Sequence, residues 1–275
     1  MTSENNNFFT LNNGLKMPSI GLGVLFAQNN GEVEQAVMAA LEAGYRKIDT
    51  AAAYQNEQGV GKALRRSKIP RGDLFLATKV WNTDQGYDQT LRAFKHSLKE
   101  LETDYVDLYL IHWPVKSKFK ETYRAMEQIY ADGQAKAIGV CNCSVEQLED
   151  LMEHTSIVPA VNQVEMHPHL SQNGLLSFAK RHGIQMEAWR PIMMGEVMNM
   201  RELHTIGAAH GKSPVQVALR WLIQRGVAVI PKSVTPKRIH QNFEVFDFEL
   251  TAEDMEVIES LNQDRHLGED LSHIE

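Results

Sequence analysis

The sequence predicts an α/β fold, a TIM barrel in which eight parallel strands close into a (β/α)8 ring. Short apolar runs alternate with longer amphipathic stretches along the chain, and this alternation indicates a parallel sheet with crossover helices. A chain of 275 residues has the size typical of an eight-stranded barrel with an outer ring of helices. Because no linker, charge block or low-complexity tract interrupts the pattern, we predict a single domain over residues 1–275.

The predicted strands are short apolar segments: Ile20–Val24, Lys47–Ile48, Leu74–Val80, Val106–Ile111, Ala137–Cys141, Ala160–Val164, Gln185–Ala188 and Val227–Ile230. The predicted helices are a segment from Gln55 onward and Val33–Ala43, Tyr87–Leu101, Lys118–Asp132, Val145–Glu153, Asn173–His182, Met200–His210 and Pro214–Arg225. Ahead of them, Asn12-Asn13-Gly14 separates two alternating runs, which favours a β-hairpin. We expect this N-terminal hairpin to close the bottom of the barrel.

An open, doubly wound sheet is the alternative fold. Such sheets usually carry a G-x-G-x-x-G motif directly after the first strand. The nearest match, Gly59-Val60-Gly61-Lys62-Ala63-Leu64, lacks the third glycine and lies inside a predicted helix. The sequence therefore favours the closed barrel.

Composition limits the possible partners and location. The formal net charge of -7 argues against a general nucleic-acid or membrane-binding surface. The polar start Met1–Asn7 resembles no signal peptide, and no apolar run approaches the ~18 residues of a membrane span. Cys141 and Cys143 would face opposite sides of a strand, so no disulfide joins them. We predict a cytoplasmic protein with neither nucleic-acid nor membrane partners.

Polar side chains follow the carboxyl ends of the predicted strands, where barrels of this kind carry their chemistry. In chain order they are Asp49 with Tyr54, Lys79 with Trp81, His112 with Trp113, Asn142, Gln163, Trp189 with Arg190, and Lys232 with Ser233. Each alone has an ordinary structural explanation, such as a helix-capping aspartate or a core histidine. Their convergence on one rim indicates a binding cavity.

Tyr54 is the central residue of this predicted cavity. A tyrosine has a reference pKa of ~10 and is a poor acid at neutral pH. A nearby cation favours the phenolate and lowers that pKa. We expect Lys79 to be this cation, Asp49 to hold it, and His112 to complete the site.

Four motifs resemble the signatures of the aldo-keto reductases. They are Ile48-Asp49-Thr50-Ala51 with Tyr54 and Asn56-Glu57, Thr78-Lys79-Val80-Trp81, Asp107 to Pro114, and Ile230-Pro231-Lys232-Ser233-Val234. The resemblance runs from about Phe9 to Leu261, and the short connections are similar to those of small microbial members such as diketogluconate and aldehyde reductases.

The resemblance implies a monomeric NADPH-dependent reductase that transfers hydride to the carbonyl of aldehydes or ketones, such as small aldehydes, α-dicarbonyls or keto sugars. Asp49, Tyr54, Lys79 and His112 would form the catalytic tetrad, with Tyr54 as the proton donor.

The resemblance also implies a cofactor site. Asn142 and Gln163 would hold the nicotinamide carboxamide, and Trp189 would stack on the ring in place of the usual tyrosine. At the other end the residues would be Lys232, Ser233, Val234 and Arg238 around the 2′-phosphate and adenine, and Gln241 and Asn242 at the adenine edge. Thr235–Arg238 is also compatible with an ordinary helix start, because proline favours the first turn.

Several positions depart from the family pattern. Cys141-Asn142-Cys143 replaces Ser-Asn-Phe, and a thiol is the weaker donor. Arg190 replaces a serine near the pyrophosphate, where it would pair with phosphate or turn toward an acidic substrate. Leu25 stands where many relatives carry a large aromatic, so we expect a wider substrate mouth with Trp81 and Trp113 as its walls.

Other functions remain open from the sequence alone. Some family relatives bind the cofactor without turnover, and unrelated barrel enzymes share the fold. His167 and His169 have no third ligand at a suitable spacing, so we predict no metal. We expect the tail Asp264–Glu275, which has Arg265-His266-Leu267-Gly268 in place of Arg-Phe-Gly, to influence substrate choice.

Overall fold

The computed structural model describes residues 7–271. Its strands are β1 (Phe8–Thr10), β2 (Lys16–Pro18), β3 (Leu22–Gly23), β4 (Lys47–Asp49), β5 (Phe75–Val80), β6 (Leu108–Ile111), β7 (Ile138–Cys141), β8 (Val161–Glu165), β9 (Gln185–Trp189) and β10 (Ala228–Val229). Its α-helices are α1 (Glu32–Ala43), α2 (Glu57–Ser67), α3 (Tyr87–Glu100), α4 (Phe119–Ala131), α5 (Val145–Met152), α6 (Asn173–Arg181), α7 (Arg201–His210), α8 (Pro214–Gln224), α9 (Pro236–Phe243) and α10 (Ala252–Glu259).

Strands β3 to β10 form one parallel sheet in which each strand pairs with its neighbours in the chain. The sheet closes on itself through the segments around its first and last strands. Gly21 N–H donates to the Val229 carbonyl at 2.9 Å, and Val229 N–H donates to the Ser19 carbonyl at 2.9 Å. The prediction of a closed (β/α)8 barrel is therefore confirmed.

The N-terminal hairpin covers the bottom of this barrel. Strands β1 and β2 pair antiparallel, with Phe9 opposite Met17. Leu11 and Met17 are buried in the same apolar cluster as Phe75, the first residue of β5, and Ala137, which precedes β7. Because these residues mark the N-terminal ends of the strands, the hairpin lies at the end opposite the predicted site.

Side-chain alternation along the strands separates two apolar regions. Inward residues such as Leu108 and Leu110 of β6 fill the barrel together with the hairpin. Outward residues of the same strand, such as Tyr109 and Ile111, pack in the larger cluster shared with the helices. The carboxyl ends of the strands are thereby held as one rigid rim.

Two helices near the C-terminus were not among the predicted helices. Helix α9 begins at Pro236, so the alternative of a helix start at this stretch is correct. Helix α10 begins with a capping box in which Thr251 and Asp254 satisfy each other's backbone N–H groups. Gly59 and Gly61 lie inside α2, so no dinucleotide-binding turn forms there. None of the helices between residues 7 and 271 is long and apolar enough to cross a bilayer.

Candidate active site

Three members of the predicted tetrad are in contact at the rim. Asp49 ends β4, and Lys79 lies in the neighbouring strand β5. The Lys79 ammonium donates to Asp49 Oδ1 at 2.6 Å and to the Thr50 carbonyl at 2.9 Å. It also lies 3.5 Å from the hydroxyl oxygen of Tyr54. The charged nitrogen thus connects the acid to the phenol.

A buried asparagine fixes the loop that carries Tyr54. Tyr54 ends a short 3-10 helix just beyond β4. The Asn56 side chain accepts from the Thr50 hydroxyl at 2.7 Å and donates to the carbonyls of Val24 and Ala27 at 2.9 and 3.0 Å. These bonds tie the loop to the segment after β3, which explains why the motif places an asparagine two residues after the tyrosine.

Burial and charge act in opposite directions on the two titrating groups. Burial by itself would lower the pKa of Lys79, but Asp49 and Tyr54 outweigh it and the pKa lies above its ordinary value. Burial raises the pKa of Tyr54 to about 12, and Lys79 offsets only part of that rise. The expectation that Lys79 brings the pKa of Tyr54 below its ordinary value is therefore wrong for the protein without a ligand, because loss of hydration outweighs the cation.

His112 follows β6 and faces the same cavity. Its ring is edge-on to Tyr54, with centroids 5.5 Å apart, and to Trp81, with centroids 5.0 Å apart. Burial, assisted by Lys79, places the pKa of His112 well below its ordinary value. Its Nδ1 is buried without a hydrogen-bond partner among residues 7–271. A neutral ring with its proton on Nε2 would then be the form able to donate to a ligand.

The two amides predicted to hold a carboxamide are both fixed by the protein. The Asn142 oxygen accepts from the Trp189 indole N–H at 2.8 Å. The Gln163 amide nitrogen donates to Asp49 Oδ2 and to Glu187 Oε2, each at 2.9 Å. Asn142, Trp189 and Gln163 therefore lie together beside the tetrad.

Arg190 directly follows β9 with a positive φ of 51°. Its guanidinium carbon lies 5.3 Å from the centroid of the Trp189 ring. One of its terminal nitrogens is buried yet has no hydrogen-bond partner within the described part of the chain. A buried donor without an acceptor is costly, so this position fits an anionic group of a ligand.

The remaining predicted cofactor residues lie beyond β10 and along α9. They are the exposed Lys232, Arg238 and Gln241, the half-buried Ser233 and Val234, and the buried Asn242. Because α9 begins within this stretch, its N-terminal N–H groups and the basic side chains together favour an anion. These residues occupy a different part of the rim from the tetrad.

The predicted walls of the mouth are half-buried: Leu25, Trp81 and Trp113 all follow barrel strands. Sequence reasoning missed Phe26, the next residue after Leu25. Its side chain is 72% exposed and its φ is 63°. A large exposed aromatic beside a cavity is a candidate ligand contact, and its place one residue past a predicted wall was the signal.

The C-terminal tail crosses the mouth. Gly268 N–H donates to both oxygens of the buried Glu165 carboxylate, at 3.1 and 3.2 Å. A side chain at Gly268 would collide with the Trp189 ring, since a Cβ there would lie 2.4 Å from the indole. Further along, the Leu271 carbonyl accepts from the Asn82 amide at 2.7 Å. Residues 272–275 of the predicted specificity tail lie outside the described residues.

Sequence reasoning also missed two charged residues inside the barrel, Lys47 and Glu187, which form a buried ion pair. Lys47 lies two residues before Asp49 and Glu187 two residues before Trp189, so the period of two along a strand was the available signal. Cys141 and Cys143 are both buried and unpaired with each other, as predicted. No three His, Cys, Asp or Glu side chains group as metal ligands between residues 7 and 271.

Comparison with known proteins agrees with this geometry. The model of the aldo/keto reductase family matches residues 19–263. The chain belongs to this family. The predicted family and enzyme class are thereby confirmed, and an unrelated barrel enzyme is excluded.

Individual relatives are similar over nearly their full length. The glyoxal reductase of Bacillus subtilis is 51% identical over 258 residues, covering 94% of each chain. The crystal structure of an aldo-keto reductase from a Medee basin deep-sea metagenome library superimposes with a TM-score of 0.94 at 47% identity, covering 98% of this chain and 99% of that one. The Bombyx mori aldo-keto reductase, solved in complex with NADP, has a TM-score of 0.90 at 35% identity, covering 95% of this chain and 94% of that one.

Proposed function

We propose that the protein is an NADPH-dependent reductase that converts small aldehydes, ketones, α-dicarbonyls or keto sugars to alcohols. The observation that carries this proposal is the chain of contacts from Asp49 through the Lys79 ammonium to the Tyr54 hydroxyl. The glyoxal reductase activity named for the Bacillus subtilis relative supports α-dicarbonyls as one substrate class.

The residues present fit NADP. Barrels frequently bind phosphate at the loops after their seventh and eighth strands together with the N-terminus of an extra helix. Here those elements supply the unpaired buried nitrogen of Arg190 and the exposed Lys232 and Arg238 near the start of α9. Arginine suits a phosphate because its planar group donates two parallel hydrogen bonds.

In the proposed reaction NADPH supplies the hydride that the carbonyl carbon accepts. Tyr54 donates its proton to the carbonyl oxygen, and its high pKa keeps that proton in place until the oxygen becomes basic. Lys79 stabilises the phenolate left behind, and Asp49 keeps Lys79 charged and oriented. His112, neutral and facing the cavity, polarises the carbonyl and orients the substrate.

A single assay separates this proposal from its main competitor, a cofactor-binding member without turnover. The protein is mixed with NADPH and a panel of aldehydes and α-dicarbonyls that includes glyoxal, and the cofactor absorbance is followed. Turnover that Tyr54→Phe abolishes supports the proposal. Tight NADPH binding without turnover of any carbonyl contradicts it.

Three predictions from the sequence stay predictions: the single domain over residues 1–275, the monomeric state and the cytoplasmic location. The net charge of -7 supports the absence of a general nucleic-acid partner. Size-exclusion chromatography with light scattering tests the monomer directly.

A further inference from the structure

A second buried ion pair lies inside the barrel beneath the tetrad. Lys47 of β4 and Glu187 of β9 are fully buried, and the Lys47 ammonium pairs with Glu187 Oε1. Lys47 and Asp49 are two residues apart on one strand, so both side chains point into the barrel. The proposed reaction gives Lys47 and Glu187 no role, although burying a charged pair carries a large desolvation cost.

The surroundings of Lys47 are shaped for this pair. The stem of Lys47 passes Gly21 so closely that a Cβ there would lie 2.8 Å from the lysine Cγ. Its ammonium lies 3.0 Å from Met17 Sδ in the bottom hairpin and 5.3 Å from the centroid of the Phe75 ring. Glu187 is its only carboxylate partner among residues 7–271. Lys47 therefore holds Glu187 in one place and neutralises it.

Glu187 in turn binds Gln163. The Gln163 amide nitrogen lies 2.9 Å from Glu187 Oε2 and 2.9 Å from Asp49 Oδ2. An ionised carboxylate can only accept hydrogen bonds, and an amide nitrogen has two hydrogens to donate. Two carboxylates on one side thus fix which way the amide faces, with its oxygen turned away from them.

We propose that Glu187, held by Lys47, is a positioning residue that locks the Gln163 amide so that its oxygen is presented to the carboxamide N–H of the nicotinamide. This inference rests on the proposed function, which assigns Gln163 to that carboxamide. Asp49 alone would offer the amide one acceptor and leave its second hydrogen unpaired in a buried site. With both acceptors in place, the orientation is set before the cofactor arrives.

An isosteric substitution with a compensating partner tests the proposal. In Glu187→Gln the single remaining oxygen is taken by Lys47, so the new amide turns its N–H groups toward those of Gln163, and the two donors repel. We expect NADPH to bind about tenfold more weakly, the equivalent of one or two lost hydrogen bonds. In Lys47→Met/Glu187→Gln the oxygen at 187 is free to accept from Gln163, and we expect affinity within about twofold of wild type.

NADPH affinity is measured by titrating tryptophan fluorescence, alongside thermal unfolding of each variant. The matched control Lys47→Met/Glu187→Met has no buried charge and no acceptor at 187, and it serves also if Glu187→Gln fails to fold. We expect it to bind NADPH about fivefold more weakly than Lys47→Met/Glu187→Gln. Equal affinity of these two double variants would overturn the proposal.

A cofactor fragment separates positioning from general damage. Adenosine 2′,5′-bisphosphate lacks the nicotinamide, so we expect its affinity to be the same in wild type and in all three variants. A parallel loss of affinity for this fragment would overturn the positioning role. Failure of the proposed function is distinguishable, because wild-type protein would then show no NADPH binding or no carbonyl turnover before any variant is made.

Discussion

The ammonium nitrogen of Lys79 lies 3.5 Å from the hydroxyl oxygen of Tyr54, and this contact joins two strands of the barrel. The same nitrogen is held by Asp49 at 2.6 Å. The cation can therefore stabilise a phenolate as it forms, while burial keeps the phenol protonated beforehand. Most of the predictions below follow from this arrangement.

Replacing Tyr54 by phenylalanine removes the proposed proton donor and leaves the ring in place. We expect kcat for carbonyl reduction to fall by roughly 10²- to 10⁴-fold, the usual contribution of general acid catalysis. NADPH affinity and the unfolding midpoint should be unchanged, because Asp49 still holds Lys79. Steady-state kinetics and a fluorescence titration measure both; retention of wild-type kcat would exclude Tyr54 as the donor.

Lys79→Met breaks the buried pair with Asp49 and should cost about 3 kcal/mol or more in the free energy of unfolding, because the carboxylate is left buried without its cation. The double variant Asp49→Asn/Lys79→Met removes both charges and should recover part of that loss. Denaturant unfolding of the two single variants and the double variant forms a double-mutant cycle. Additive losses would mean that the two side chains do not interact.

The pKa directions at the site predict the pH dependence of reduction. The pKa of Tyr54 is raised to about 12, so the phenol keeps its proton and is lost as donor only as the pH approaches that value. The pKa of His112 lies well below its ordinary value, so the ring stays neutral above it. We expect kcat/KM for NADPH, which reports groups of the free enzyme, to show no inflection from either group between about pH 6.5 and about pH 9. If Tyr54→Phe or His112→Gln abolished an inflection in this window, the pKa direction of that residue would be wrong.

Arg190→Ser should weaken NADPH binding by about tenfold, because a charge-assisted hydrogen bond to phosphate is lost. Arg190→Lys is the matched control and should recover part of the affinity, since lysine keeps the charge without the paired donors. Isothermal titration with NADPH gives both values. Unchanged affinity in Arg190→Ser would refute the phosphate role and leave the substrate role of this side chain to be tested with acidic carbonyls.

The tail is predicted to set substrate preference through its anchor on Glu165. Truncation before Asp264 and the substitution Glu165→Ala both release the segment that packs on Trp189. We expect both changes to shift the ratio of kcat/KM between a small α-dicarbonyl and a bulky aldehyde in the same direction. An unchanged substrate profile in the truncated protein would show that the tail does not contribute to specificity.

Local patterns were sufficient for most of the architecture. The alternation of apolar and amphipathic segments located all eight barrel strands, and Asn12-Asn13-Gly14 located the hairpin. Helix α10 was missed because its eight residues show only a weak apolar face, although Thr251 and Asp254 form a capping box that the sequence displays. Helices this short depend on tertiary packing more than on their own pattern.

The sequence by itself determined which side chains stand at the strand ends, because strand order and the period of two are local properties. Only the tertiary structure decided how they act on one another. Gln163 reaches Asp49 across 114 positions and Lys47 reaches Glu187 across 140, contacts that exist only once the barrel closes. The high pKa of Tyr54 has the same origin, since the loss of hydration on burial depends on every element packed around the phenol.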